Sequence, residues 1–241
     1  MLGAVHIKLK AALHCHTGED PQDPIPYTAR EFLDQAALFK FEVVSFTCHD
    51  FFFWNEKIKK YAEEKNILLI PGIEKKIEGK HVVILNANKE TENIKTFEQL
   101  AALKKKFEYF VLAPHPFFPG RISLGKKLIQ YINLFDAIEF SYFYSKKINA
   151  NKKAEKIAKK YNKPLIGTSD IHVLKYMNPT YTIIQSKKDT HSVLSALRKN
   201  AFEIKSKPFK AYQLIQIFAT MIGINPLQKL AKKWKKRNMP N

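Results

Sequence analysis

Cysteine is almost missing from this chain: two in 241 residues, Cys15 and Cys48. Nothing here suggests a disulfide framework, and a reducing cytoplasm is the default compartment. Acids are scarce too. Twenty-two Asp and Glu stand against 41 Lys and Arg, a net charge of +19. Such a balance favours anionic partners: phosphates, nucleic acid or an acidic membrane surface. A solvated, Lys-rich surface is the other reading, because the lysines are spread along most of the chain. Long hydrophobic runs are absent. The stretch "AYQLIQIFATMIGI" (211–224) contains two Gln and is too short to span a bilayer. The opening "MLGAVHIKLKAALHCH" lacks the apolar core and cleavage site of a signal peptide. No internal repeat and no low-complexity linker occurs.

What is present is an ordinary apolar share, 45%, enough for a sizeable core. The length suits one large domain or two small ones, and a single α/β barrel is commonly about 250 residues. Strand-like and helical segments alternate. Apolar runs at 4–13, 41–47, 67–72, 80–86, 109–115, 135–141, 163–170 and 179–186 read as strands. Helical spacing marks 28–40, 55–66, 96–107, 123–132, 149–162 and 190–200. Thr28 with Glu31 forms a capping box at the first helix. Repeated strand–helix units with β-branched strands predict a mostly parallel sheet. About seven units could close into a barrel; an open doubly wound sheet is the alternative. Residues 201–241 look like an appendage ending in "KLAKKWKKRN".

Six of the eight histidines fall at strand ends or starts: His14, His16, His49, His81, His115 and His172. In "LHCH" the two imidazoles are two residues apart, so on a strand they share one face. Glu74 follows "LLIPGI", and Asp170 precedes His172 in "GTSDIH". Each alone reads as a satisfied polar residue or a turn. Together they differ, because the C-terminal strand ends of a barrel meet on one face. A face collecting five imidazoles, a Glu and an Asp would oppose folding unless something offsets its polarity. Metal ions do so, and imidazole with carboxylate suits zinc, manganese or iron. His6, mid-strand, and His191, early in a helix, read as structural or surface residues.

These motifs resemble, in order, those of the PHP family, named for polymerases and histidinol phosphatases. The matching stretches are "HCH" (14–16), "TCHD" (47–50), "PGIE" (71–74), "KHVVIL" (80–85), "APHP" (113–116) and "GTSDIH" (167–172). They cover residues 6 to about 200. The resemblance implies an α/β fold: a distorted (β/α)7 TIM-like barrel, one metal-binding domain over residues 1–205 with a basic helical extension at 206–241. It implies two or three divalent ions (Zn, Mn or Fe) and hydrolysis of phosphate esters. The implied ligands are His14, His16, Asp20, His49, Glu74, His81, His115, Asp170 and His172. His14, His16 and Asp170 would hold one ion, with Glu74 bridging to a second beside His115. His49, His81, Asp20 and His172 would complete the second and third sites. The chain departs from the family twice. Cys48 stands where Asp often precedes the second-motif His. The acid after HxH is one of Glu19, Asp20 or Asp23, with Asp20 the choice here.

A metal lowers the pKa of bound water to about 7, so the expected nucleophile is a metal-bound hydroxide held by Glu74, Asp170 and His172. Asp50, Thr47 and Ser169 are either orienting partners for the imidazoles or turn residues. Arg121, after "PHPFFPG", and Lys175 are candidate phosphate-binding groups. Phe51, Phe52, Phe53 and Trp54 either line a pocket or pack beneath a loop. Leu227, Leu230, Ala231 and Trp234 fall at helical spacing beside a basic face, which suits nucleic acid, an anionic membrane or packing on the barrel. Three functions follow: a phosphomonoesterase acting on a phosphorylated small molecule, a nuclease or oligonucleotide phosphatase, and a nucleic-acid-binding module with a vestigial site. The third would lack ligands, and nearly all are present. No polymerase domain accompanies the motifs, and oligomeric state is left open.

Overall fold

The computed structural model describes residues 7–221. His6, the end of the 211–224 stretch and the basic run from Lys229 to Arg237 lie outside the described residues. Among the described residues, nine strands form one sheet: β1 Ile7–Cys15, β2 Val43–Phe46, β3 Leu68–Ile77, β4 Lys80–Leu85, β5 Phe110–Ala113, β6 Ala137–Ser141, β7 Leu165–Thr168, β8 Thr180–Ser186 and β9 Phe202–Ser206. The helices are α1 Ala29–Leu38, α2 Glu56–Glu64, α3 Phe97–Lys104, α4 Lys126–Gln130, α5 Asn151–Lys160, α6 Thr190–Arg198 and α7 Ala211–Met221.

The strand order is β7-β6-β5-β4-β3-β2-β1-β8-β9. β1–β2, β2–β3, β5–β6 and β6–β7 are parallel, as the alternating units predict. The other four pairings are antiparallel, so the sheet is mixed rather than mostly parallel. One cause is local. Glu78 and Gly79, between β3 and β4, both have positive φ, 47° and 76°. Two such residues make a turn whose twist matches that of a hairpin, so β4 folds straight back on β3. The other difference is β9, which pairs with β8 and so makes residues 202–206 part of the sheet rather than an appendage.

The sheet curls until its far strands nearly meet. Thr182 Oγ1 donates to the Gly167 carbonyl at 2.9 Å. A Cβ on Gly167 would lie 2.6 Å from an Ile204 methyl, so glycine permits this approach. Beyond β7, Ile171 bridges to Cys15, with His16 N donating to the Ile171 carbonyl at 3.1 Å. The result is a nearly closed, distorted barrel.

Helix starts follow the sequence signals. Thr28 and Glu31 form the predicted capping box, Thr96 and Gln99 form another, and Asn55 caps α2. Inside the barrel, Leu9, Val43, Phe110, Ala137 and Ile166 form one apolar cluster with Val193, Leu194 and Leu197 of α6. α6 therefore plugs the end where the parallel strands begin. Arg198 fixes it there through Asp136 Oδ1 at 3.2 Å and the Tyr109 carbonyl at 3.1 Å. α7 packs through Leu214 and Ile217 on Tyr142 and Phe209. Among the described residues, no helix is long and apolar enough to cross a membrane.

Candidate metal centre

At the other end the lining is polar. β1 delivers His14 and His16 to one face, and both are fully buried. On β3, Glu74 sits two residues beyond Gly72, whose missing Cβ would lie 2.2 Å from Ser45 Oγ. The hairpin then brings His81 into place. Lys76 faces His81 across the pair, and residues two apart on a strand share a face. His81 therefore stands on the Glu74 side, its Nδ1 2.8 Å from Glu74 Oε1. His49 follows β2, His115 follows β5, and Asp170 and His172 follow β7. All six sequence-identified histidines converge with Glu74 and Asp170.

Four groups of side chains place their donor atoms close enough to share an ion: His14–His16–Asp170, His14–Glu74–His115, His49–Glu74–His81, and His16–Asp23–His49–His172. Glu74 joins two of them. Its Oε2 lies 3.3 Å from His14 Nε2, 3.4 Å from His16 Nε2 and 3.0 Å from His49 Nε2. Its Oε1 lies 3.2 Å from His115 Nε2.

The fit to a metal rests on buried atoms without partners. His14 Nδ1 donates to Glu139 Oε1 at 2.9 Å, which leaves Nε2 as a lone pair. That lone pair faces carboxylate oxygens of Glu74 and Asp170 at 3.3 and 3.4 Å. Lone pair against lone pair is repulsive unless a cation stands between them. His14 Nε2, His16 Nε2 and Asp170 Oδ1 are buried and make no hydrogen bond. Ligand atoms about 2.0–2.2 Å from a shared ion stand about 3–3.5 Å apart, the spacing seen here. The donor set is nitrogen and oxygen without thiolate, which suits zinc, manganese or iron.

Without an ion, protons take its place. Burial pulls the His14 pKa down, but the charges of Asp170, Glu74 and Glu139 outweigh it and hold the imidazole at about 10. Burial and His16 lower His49, while Glu74 and Asp20 raise it, for a value of about 9. Burial opposes ionisation of Glu74 and Asp170 as well, yet the surrounding imidazoles keep both far below the usual carboxylate range. Burial pushes the Cys48 thiol up to about 11, so the residue beside His49 is a neutral thiol.

Carboxylates form the orienting layer. Asp20 Oδ2 accepts from His16 Nδ1 at 3.1 Å, His49 Nδ1 at 2.9 Å and the His49 backbone N–H at 2.8 Å. Its other oxygen accepts from Gln22 N and Asp23 N. Asp20 thus lies behind two imidazoles and shapes the turn that presents Asp23, and Asp23 is the acid in the outermost group. Glu139, in the middle of β6, was not singled out in the sequence. It is fully buried, accepts from His14, and takes the His115 N–H and the Thr168 hydroxyl. A lone acid in an apolar strand was its signal. His172 Nδ1 donates to the Asp170 carbonyl at 2.9 Å, which turns Nε2 toward Asp23. Carboxylate or carbonyl groups behind ligating imidazoles fix tautomer and direction.

Asp50, Thr47 and Ser169 serve the turns instead. Asp50 receives Lys75 Nζ at 2.7 Å and Lys76 N at 2.9 Å. Thr47 staples β2 to Cys15, and Ser169 donates to the Thr180 carbonyl. Phe52, Phe53 and Trp54 pack against the apolar clusters. Arg121 is exposed in a turn, and Lys175 is exposed in the short 3-10 helix Leu174–Tyr176. His191 is exposed beside Glu108. His115 and Asp170 hold φ of 28° and 39°, left-handed conformations that cost about 1–3 kcal/mol each for non-glycine residues. Strain at two of the converging residues is the pattern of a functional site.

The fold is shared with known proteins. PsfC from Pseudomonas syringae superposes with a TM-score of 0.58 at 14% identity, over 96% of this chain and 99% of that one. The lesion-specific endonuclease Q from Pyrococcus furiosus matches with a TM-score of 0.60 at 15% identity, over 82% of this chain and 58% of that one. A Bifidobacterium adolescentis protein, assigned as a metal-dependent phosphoesterase, matches with a TM-score of 0.50 at 15% identity, over 68% and 87%. No curated protein matches the chain in sequence. Residues 149–202, the stretch that carries Asp170 and His172, match the family model described as PHP-associated.

Proposed function

We propose that the chain is a metal-dependent hydrolase of phosphate esters, with two or three divalent ions (Zn, Mn or Fe) and a phosphomonoester as substrate. The observation that carries this reading is the set of buried, partnerless ligand atoms on His14, His16 and Asp170. His14, His16 and Asp170 would hold one ion, Glu74 with His115 and with His49 and His81 the neighbouring position, and His172 with Asp23 the outermost. Bound ions would supply an activated water and neutralise charge on the ester oxygens. The protein's own part is placement. Glu74 spans two positions and holds them adjacent, while Glu139 and Asp20 aim the imidazoles. Burial of His14, His16 and Glu74 keeps bulk water from the inner position, whereas His172 and Asp23 are partly exposed. Arg121, in a turn after His115, and Lys175, in the short 3-10 helix after His172, are the cations we assign to the substrate phosphate. Two free, buried cysteines suit the reducing cytoplasm.

An oligonucleotide substrate is the second reading. It is favoured by the charge of +19 and by the endonuclease Q barrel, a fold solved with a 27-mer duplex carrying an abasic lesion. The test is hydrolysis of p-nitrophenyl phosphate and of a short single strand by the protein loaded with Zn, Mn or Fe. Turnover of the aryl ester with shallow salt dependence supports the monoester. Turnover of the strand alone, falling steeply with salt through backbone contacts, supports the polymer. No turnover of either sinks the proposal.

A further inference from the structure

Beside the metal centre lies a cavity of about 450 Å³ whose walls include Lys80, Phe117, Ser123, Lys126, Lys127 and Lys153. Its place follows from the chain. Pro116, in its wall, succeeds His115, and Lys80 precedes His81. The loop over residues 116–125 is held in shape at both ends. Gly125 N donates to the Pro116 carbonyl at 2.9 Å, and His81 N donates to the Ile122 carbonyl at 2.9 Å. Gly125 has φ +55°, a conformation that side chains resist.

The lining contains four lysines and no carboxylate. Lys127 pairs with Glu78 and Lys80 Nζ donates to the Arg121 carbonyl at 2.6 Å. Lys126 and Lys153 make no ion pair among the described residues, and Lys153 lies over the Phe117 ring at 4.5 Å. Ser123 is 5% exposed, and its hydroxyl is buried without a hydrogen-bond partner. Buried hydroxyls are normally paired, so a missing acceptor is indicated. Two unpaired cations, a waiting donor and an aromatic ring suit a phosphate attached to an organic group. The volume falls in the range of about 300–1,000 Å³ typical of organic-ligand sites, more than a lone phosphate needs.

We infer that this cavity binds a second phosphate of the substrate, the flanking phosphodiester of a single-stranded oligonucleotide whose reacting phosphate lies at the metals. This inference rests on the phosphoesterase reading and selects the polymer among its substrates. Ser123 and Lys126 with Lys153 would hold the phosphate, and Phe117 would lie against the attached sugar or base.

The test separates the two claims. Binding of a fluorescein-labelled six-nucleotide thymidylate strand is measured by anisotropy on the metal-free full chain. Lys126→Ala/Lys153→Ala is expected to weaken binding about tenfold or more, and Ser123→Ala severalfold. Lys187→Ala/Lys199→Ala removes the same charge at the plugged end of the barrel and should weaken binding less than about threefold. Equal losses in the two double variants would reduce the effect to overall charge and overturn the cavity assignment. So would displacement of the strand by inorganic phosphate as effective as by unlabelled strand, which would make the site one for free phosphate. Wild-type turnover of p-nitrophenyl phosphate reads the phosphoesterase proposal by itself. Its absence alongside the expected binding pattern would sink the hydrolase and leave the cavity standing.

Discussion

The two ends of this barrel are built on opposite principles. At the plugged end, Leu9, Val43, Phe110 and Ala137 close on Val193, Leu194 and Leu197 of α6, and burial of apolar surface is the stabilising force. At the open end, residues equally hidden from water are His14, His16, Glu74 and Asp170, whose burial opposes folding unless their charges are matched. One sheet tolerates the second end because the first stabilises it. The difference teaches where to look for function: buried polarity with missing partners marks what the fold maintains at a cost in stability.

Titration should separate the ends most strongly. In the metal-free protein, folding raises His14 to about 10 and His49 to about 9, against an unfolded value near 6.5. Their contribution to stability is complete below pH about 6.5 and is lost as pH rises toward 9–10. Metal binding has the opposite slope. An ion must displace those protons, so affinity falls about tenfold per pH unit for each proton released as pH drops. Melting scans from pH 6 to 9 should show the metal-free protein weakening while the metal-loaded protein strengthens. Parallel slopes would contradict the protonation argument.

At the plugged end, Leu194→Ala should cost about 2–5 kcal/mol through the cavity it leaves and leave metal stoichiometry in the folded protein unchanged. Denaturant unfolding with elemental analysis checks both parts. At the open end, Glu139→Gln keeps the size of the side chain but weakens its hold on His14. It should lower metal affinity or turnover about 10- to 100-fold, and it should cost the metal-free protein about 1–3 kcal/mol, because the amide nitrogen cannot accept from the donors of His14, His115 and Thr168. If both variants moved stability alone, the contrast between the ends would be broken. Smallest of all, Thr28→Ala removes the cap of α1 and should cost about 1 kcal/mol, seen as a lower denaturation midpoint at unchanged metal content.

Much of this was legible in the sequence because its signals are local. The alternation in "LHCH" puts His14 and His16 on one face, and Thr28 with Glu31 marks the helix start that is observed. Strand-end positions of His49, His115, Asp170 and His172 needed only the rule that such ends gather. Other features depend on partners distant in the chain. The β3–β4 hairpin turns on positive φ at Glu78, a residue that gives little warning of it. β9 is polar and half-exposed, so "FEIKS" carries no strong strand pattern. Asp20 and Asp23 look alike in the sequence, and only the folded loop sets Asp20 behind His16 and His49 and Asp23 beside His172. Glu139 shows in the sequence only as a lone acid in an apolar strand, and its partners appear when β6 stands beside β5, with His14 across the barrel.

The central claim is that the open end is a metal centre. Its most direct test is elemental mass spectrometry of the full chain, purified without added metal or chelator, beside His14→Ala/Asp170→Ala. The account predicts two or three zinc, manganese or iron ions per wild-type chain, mostly lost in the folded variant. A wild-type chain that carries no metal and takes up none of the three when offered would contradict it.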